Sequence, residues 1–462
     1  MSRTLVGTVP LNPTVFREYD IRGVADRDLP DMMVRDLGRS IGSHLAEAGA
    51  KRITLGRDCR LHSPRLHAAM RMGLALTPVD VIDIGIVSTP LLYFSVFHLD
   101  TDGGVQITGS HNPPEDNGFK IMRGKGTIYG DEIRGLADRI QRGQFASGGG
   151  SYSQTNIVDP YVAHVTGNIK LGPRRFRVVV DGGNGTGGPV GVRALRELGV
   201  DVVELYCEMD GRFPNHHPDP TVPANLKDLQ DTVARTGAEL GIAYDGDADR
   251  LGAVDSRGRI LWGDQLLILF SRAILREVPG ATIVSEVKCS QSLYDDIRAH
   301  GGRAIMWKVG HSLIKIKMKE EGALLAGEMS GHLFFAHRYF GYDDAVYASL
   351  RLVELLTHSE RPLQELVDEL PKLHATPEIR VDCPDAIKFE VVRRAVERFK
   401  QKHQIVDVDV VRVIFEDGWG LVRASNTQPV LVLRFEGPTP ERLAQIRAYV
   451  ESELADIRRG IG

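Results

Sequence analysis

The chain has 462 residues, 42% of them hydrophobic, with a formal net charge of -4 and a pI near 6.4. That length exceeds one ordinary core and implies several domains, while the slightly acidic balance excludes nucleic acid as the main partner, since backbone-phosphate binding needs a basic face. Cys59, Cys207, Cys289 and Cys383 lie far apart with no CxxC pair, which argues against a zinc site or disulfide framework and for reduced thiols in a cytoplasm. No apolar run approaches membrane-spanning length and the first residues lack a long apolar core, so neither membrane association nor secretion is expected.

In chain order, Val34, Leu37, Ile41 and Leu45 recur at helical spacing, and residues 52–55 read as a strand, 64–76 as a helix and 80–86 as a strand. The apolar run 104–107 reads as a further strand and 131–142 as a helix. Gly148-Gly149-Gly150-Ser151 looks like a linker, so a first domain is placed at 1–150. Strands at 177–180, 202–205 and 240–244, with an amphipathic segment at 192–198, form a second alternating unit, 151–257. A third, 258–370, repeats the scheme with strands at 282–287, 304–307 and 324–326 and helices at 264–275 and 345–356. The remainder, 371–462, reads differently: a helix at 385–402, strands at 408–415, 420–424 and 430–435, and a closing helix from Thr439. The fold class is therefore α/β, with a smaller α+β domain at the end.

Chemistry concentrates in a few loops. Ser110 sits in the turn Thr108-Gly109-Ser110-His111-Asn112-Pro113 directly after a strand, with Lys120 a short way on; it is the best candidate nucleophile, in a setting suited to a phosphate-bearing serine. GxSxG is absent and adjacent residues rarely meet as nucleophile and base, so Ser110 and His111 do not read as part of a hydrolase triad. The strand 240–244 runs into Asp245-Gly246-Asp247-Ala248-Asp249-Arg250. In an extended segment the three aspartates alternate onto one side, where they repel unless a cation joins them; oxygen-only donors favour Mg²⁺. An EF-hand is rejected, because Arg250 holds its turn-glycine place and Ser256 its final position; a solvated acidic hairpin is the plainer alternative.

Other loops place polar groups at strand ends: Tyr19 to Gly23 with Arg22, Lys308 to Ser312 with His311, and Gly327-Glu328-Met329-Ser330-Gly331-His332. Glu328 and Ser330 suit neighbouring sugar hydroxyls, although hydrogen-bonded packing accounts equally well for His311 or His332 alone. Arg423-Ala424-Ser425-Asn426-Thr427 joins one cation to three polar side chains, a combination suited to a phosphate dianion. Gly183 to Gly188 matches G-x-G-x-x-G, but Asp181 stands where a pyrophosphate approaches and Glu204 fits the ribose position imperfectly. A nucleotide-dependent oxidoreductase is thus the competing enzyme class.

Together and in this order, residues 108–113, 245–250, 327–332 and 423–427 resemble the α-D-phosphohexomutase family, over nearly the whole chain. Gly-Glu-Met-Ser-Gly-His is similar to its bacterial phosphomannomutase/phosphoglucomutase branch, whereas phosphoglucosamine mutases usually have Gln in the third place. The resemblance implies four domains around a central cleft, the first three of shared α/β topology with mixed sheets, each domain lending one loop. It implies Ser110 as phosphoserine, with Asp245, Asp247, Asp249 and Ser110 holding Mg²⁺. Lys120 and His332 become acid/base candidates, supported by Arg22, His111 and Arg250. Tyr19, Arg22, Lys288, His311, Glu328, Ser330, Arg423, Ser425, Asn426 and Thr427 become substrate contacts. Val309 departs from the threonine of many relatives and puts one ligand contact in doubt.

The implied reaction interconverts hexose 1-phosphates and 6-phosphates of mannose and glucose, with glucose 1,6-bisphosphate as activator and priming donor. Alternatives are a phosphoglucosamine mutase or a sugar-phosphate binding protein without turnover. The expected partners are small hexose phosphates, and the expected state is a cytoplasmic monomer or weak dimer.

Overall fold

The structure, a computed structural model, describes residues 11–408, 410–425 and 429–461, and its chain packs as two compact units. One runs through Gly263 and takes up Ser330–Glu365; the other is Asp264–Met329 with Leu366–Gly462.

In the first unit a mixed sheet orders its strands Ile21–Val24, Asp116–Arg123, Gly103–Ile107, Arg52–Arg57, Asp80–Ile86, Tyr152–Gln154. Arg52–Arg57 lies between two parallel neighbours, and Asp116–Arg123 folds back antiparallel on Gly103–Ile107. Helix Asp31–Glu47 presses the predicted stripe of Val34, Leu37, Ile41 and Leu45 into the core with no exposure, each such side chain contributing about 1.5–3 kcal/mol of burial. The glycines read as a linker are pinned instead: Gly148 and Gly150 donate to Leu76 and Thr77, and Tyr152–Gln154 extends the first sheet past residue 150.

A second sheet repeats the plan. Arg177–Asp181 lies between parallel Asp201–Leu205 and Leu240–Tyr244, and Leu251–Asp255 returns antiparallel on Leu240–Tyr244. In the second unit Thr282–Glu286 again lies between parallel Arg303–Trp307 and Leu325–Gly327. In every repeat the loop after the third strand carries a singled-out motif: Ser110, then Asp245 to Asp249, then Glu328 to His332. One topology thus places the three candidate loops at equivalent strand ends.

Residues 330–365 return to the first unit for an identifiable reason. Phe340 and Tyr342 form a ring-on-ring seam with Tyr93, Phe94 and Phe97, the Phe97–Phe340 pair at 4.7 Å being its tightest contact, while Tyr339 stacks on Tyr347 of its own segment and lies against His164. Tyr244 Oη meets Ser349 Oγ at 2.8 Å, and Ala345 N donates to Ala248 O at 3.1 Å.

The last part of the chain is α+β as predicted. Antiparallel strands Gln404–Val406, Val411–Phe415, Gly418–Ala424, Val430–Gly437 and Ile379–Asp382 pack on helices Asp385–Lys400 and Pro440–Arg459. Val391, Phe399, Leu433, Phe435 and Val450 form its core. No helix among the described residues is long and apolar enough to cross a membrane.

Candidate active site

Ser110 stands at φ +49°, a left-handed backbone that disfavours a residue with a Cβ by about 1–2 kcal/mol. Local bonds hold it there, Ser110 N donating to Thr108 Oγ1 at 2.9 Å and Asn112 N to Gly109 O at 2.9 Å. In consequence Ser110 Oγ, buried, donates to Asp245 Oδ2 at 2.9 Å and lies 3.0 Å from His111 Nδ1. Serine and its neighbouring histidine therefore do meet, contrary to the sequence expectation, because the left-handed turn brings hydroxyl and ring together. Burial, with Arg250 and Arg22 nearby, holds the His111 imidazolium well below its ordinary range, so the ring is neutral.

Asp245, Asp247 and Asp249 converge, each fully buried, but not by strand alternation. The chain turns tightly, with Ala248 at φ +57°, and Asp245 Oδ1 closes the turn by accepting the N–H of Asp249 and of Arg250 (3.0 and 3.1 Å). Asp247 Oδ2 accepts Thr89 Oγ1 at 2.6 Å, Lys120 Nζ at 2.8 Å and Thr108 Oγ1 at 3.2 Å; Lys120 Nζ also donates to Asp249 Oδ2 at 2.5 Å. Burial works against the charge of Lys120, yet the two carboxylates outweigh it and hold the ammonium above its usual range. Burial and the neighbouring Asp247 and Asp249 push the Asp245 carboxyl well up, whereas Lys120 overrides burial at Asp247 and holds it down.

These residues suit a hard divalent cation. Oxygen atoms of the three aspartates lie within 4.8 Å of one another, and among the described residues Asp247 Oδ1 and Asp249 Oδ1 are buried without a hydrogen bond. One lysine cannot neutralise three dry carboxylates, and unsatisfied buried oxygens are costly unless a ligand takes them.

Arg250 Nε donates to His332 Nε2 at 3.1 Å, leaving His332 Nδ1 facing Asp343 Oδ2 at 3.1 Å and Asp249 Oδ1 at 3.5 Å. Burial lowers and Asp249 raises the His332 pKa, the carboxylates prevailing. Arg22 bridges Asn112 Oδ1 and Asp20 Oδ2 at 2.5 and 2.6 Å, and so docks on the Ser110 loop; Tyr19 is half-buried beside Asp20 in sequence. The sequence missed Thr89, Asp343, Asp58 and Arg60. Thr89 acts on Asp247, far away in the chain, Asp343 reaches His332 from outside the motif that was singled out, and only the Asp-Cys-Arg run after a strand was there to be noticed.

The glycine-rich loop has a structural use. A Cβ on Gly185 would sit 2.6 Å from Gly246 O, and one on Gly246 would sit 2.4 Å from Ser110 O. Thr186 N donates to Gly246 O at 3.1 Å. The loop is a backbone bed for the aspartate turn, which explains glycine without any dinucleotide.

In the second unit Glu328 Oε1 accepts Gly310 N at 2.7 Å, joining the two predicted loops of that repeat, with His311 opening helix His311–Glu320. Lys288 Nζ donates to Glu378 Oε1 at 2.7 Å and lies 3.5 Å from Glu286 Oε2. Lys288, with Arg423 and Arg380 adding to it, draws the Glu378 carboxyl down to about 2. Burial pushes Glu286 up to about 7. Val309 packs against the cluster of Val287, Val410, Trp419 and Leu421, which gives its side chain a packing role. Ser330 is half-buried in the first unit; Arg423 is half-buried and Ser425 buried in the second; Asn426 and Thr427 lie outside the described residues.

Four family descriptions match consecutive stretches: phosphoglucomutase/phosphomannomutase α/β/α domain I over 13–147, domain II over 159–258, domain III over 262–374 and the C-terminal domain over 378–453. The chain belongs to the phosphoglucomutase/phosphomannomutase family, the α-D-phosphohexomutases. Its relatives include the phosphomannomutase/phosphoglucomutase of Pseudomonas aeruginosa, 44% identical over 98% of both chains. They also include the phosphoglucomutase of Neisseria gonorrhoeae, 44% identical over 95% of this chain and 97% of the relative. A solved phosphoglucomutase/phosphomannomutase family protein from Burkholderia thailandensis superposes with a TM-score of 0.93 at 41% identity, over 98% of this chain and 99% of its own.

Proposed function

We propose that this enzyme reversibly interconverts the 1-phosphates and 6-phosphates of glucose and mannose through phosphorylated Ser110. The observation that carries the reading is Ser110 Oγ held 2.9 Å from Asp245 beside three buried aspartates and Lys120. In the forward half-reaction the free hydroxyl of the bound hexose monophosphate attacks the phosphoserine phosphorus. The P–Oγ bond breaks, a new P–O bond forms to the sugar, the attacking hydroxyl gives up its proton and Ser110 Oγ takes one up. Lys120 and His332 are the candidates for handling those protons, and neutral His111 orients Oγ. The bisphosphate turns over in the site and returns its other phosphoryl group to Ser110 by the same steps reversed.

Asp245, Asp247 and Asp249, with an oxygen of the phosphoserine, would hold Mg²⁺, which when bound disperses charge on the transferring phosphoryl group. Arg22 and Arg250, each steered by a side-chain partner, supply further positive charge. Glu328 and Ser330 would read hydroxyls shared by both sugar orientations, and Tyr19, Lys288, His311, Arg423, Ser425, Asn426 and Thr427 are the proposed contacts for the rest of the ligand and its non-reacting phosphate. Glucose 1,6-bisphosphate would prime unphosphorylated Ser110. The partition into domains of 1–150, 151–257, 258–370 and 371–462 assigns phosphoserine, metal, sugar and phosphate recognition in turn. We place the enzyme in the cytoplasm as a monomer or weak dimer.

The test combines mass and turnover. Intact-mass spectrometry is expected to show one phosphate on Ser110, and Ser110→Ala to lose turnover of glucose 1-phosphate while still binding it. A Ser110→Ala variant that turns over like the wild type would falsify the covalent role.

A further inference from the structure

The Ser110 loop keeps its shape against its own backbone preference, and beyond its internal bonds the segment Asp58-Cys59-Arg60 braces it from another part of the chain. The Arg60 side chain is fully buried, with its guanidinium inside the curve of the loop. Its Nη2 donates to Ser110 O at 2.8 Å and Asn112 O at 2.6 Å, and its Nη1 to Pro113 O at 2.5 Å and Asp116 O at 3.0 Å. Nε lies 3.3 Å from Asp58 Oδ2, which also accepts Gly109 N at 3.0 Å. Asp58 Oδ1 in turn accepts Arg60 N and Ser63 Oγ, at 3.0 and 2.5 Å, and the guanidinium carbon sits 5.0 Å over the Phe213 ring.

Both ends of the turn are thereby tied to one rigid dyad, the amide of Gly109 to the carboxylate and the carbonyls of 110, 112, 113 and 116 to the guanidinium. A buried charge of this kind is an expensive way to fill space, and an apolar side chain of similar volume would do so at lower cost. What an apolar residue, or a lysine with its point-like ammonium, cannot do is span four divergent carbonyls in one plane. Gly109 makes the approach possible, because a Cβ there would lie 2.4 Å from Arg60 Nε and 2.5 Å from its Cζ.

We propose that Arg60 is a positioning residue for phosphoryl transfer: it fixes residues 109–116 so that Ser110 Oγ, with the phosphoryl group it carries, stays aimed at the three aspartates. The proposal builds on the reading of Ser110 as phosphoryl carrier. It assigns Arg60 no contact with the sugar, so its loss acts on the chemical step and not on substrate affinity.

The experiment compares wild type, Arg60→Lys, Gly109→Ala and the double variant, each treated with glucose 1,6-bisphosphate and magnesium. Phosphate on Ser110 is read by intact mass, thermal stability by melting, and kcat and KM per folded, phosphorylated enzyme. A loop misplaced by about 1 Å costs about 100-fold in rate, so kcat is expected to fall by about that factor in Arg60→Lys while KM moves less than about threefold. Gly109→Ala, which displaces the same guanidinium from the other side, is expected to give the same split, and the double variant a loss well short of the product of the two. Should Arg60→Lys not fold, Gly109→Ala decides alone. A folded, phosphorylated variant whose kcat stays within about threefold of wild type, or a loss of activity that only tracks the folded fraction, overturns the proposal. A wild type that takes up no phosphate on Ser110 overturns instead the reading of Ser110 beneath it.

Discussion

In the first unit, Lys120 closes on Asp247 and Asp249, Ser110 on Asp245 and Arg250 on His332, all at 3.1 Å or less. In the second, Lys288 leans on Glu378, a carboxylate contributed by the α+β part of the chain, with Glu286 held up near 7 beside it. The groups proposed to react are thus held beforehand by buried contacts, whereas Lys288, proposed as a ligand contact, is occupied by an internal acid of the same charge sign as a sugar phosphate. Catalytic groups work best when rigidly held before substrate arrives; a binding cation gains from a partner that a ligand can replace.

The sharpest break of that contrast is removal of the metal or of one of its carboxylates. Excess EDTA, and separately Asp247→Asn, are expected to abolish turnover, the first reversibly on adding Mg²⁺; activity that persists in EDTA would remove the aspartates' proposed role. Next in size, Lys120→Met leaves two buried carboxylates without their cation and is expected to destabilise the protein by about 3–5 kcal/mol. Thermal melting checks this, with Mg²⁺ expected to restore more stability to the variant than it adds to the wild type.

A smaller effect sharpens the second half of the comparison. Glu378→Gln removes the acid that occupies Lys288 and is expected to lower KM for glucose 1-phosphate several-fold with kcat nearly unchanged; a raised KM would show instead that Glu378 orients the lysine for its ligand. Smallest is a pH effect at Glu286, which faces Lys288, Glu328 and Glu378. Its carboxyl stands at about 7 in the folded protein against an ordinary 4.5. The folded state therefore holds the proton more tightly, and stability falls as pH rises from the lower value through the higher. Glu286→Gln removes that slope, so its melting temperature should gain on the wild type between pH 5 and pH 8, and parallel curves would contradict the assignment.

Motifs announced the candidate site better than they announced its supports. Ser110, the three aspartates and Glu328 stand out because their neighbours in sequence are also their neighbours in the loop, and the repeated strand-helix pattern foretold equivalent strand ends. The convergence of the aspartates was legible, but its cause was misread: nothing in an alanine reveals that Ala248 adopts a left-handed backbone and turns the chain. Thr89 bonds Asp247 across 158 positions, and Arg60 serves main-chain carbonyls 50 or more residues away, which no local spacing encodes. The fate of residues 330–365 depends on rings distributed over three segments, so periodicity within any one of them is silent about it.

That return of residues 330–365 has a bearing on biosynthesis. As the polypeptide leaves the ribosome, its first 263 residues emerge with Tyr93, Phe94 and Phe97 lacking the later rings and the aspartate turn lacking His332 and Asp343. Domains ordinarily mature one after another during translation, but here the nascent aspartate turn must wait for the chain to be made through Glu365 before the first unit is complete, and a ribosome stalled in that interval leaves an aromatic face bare to chaperones.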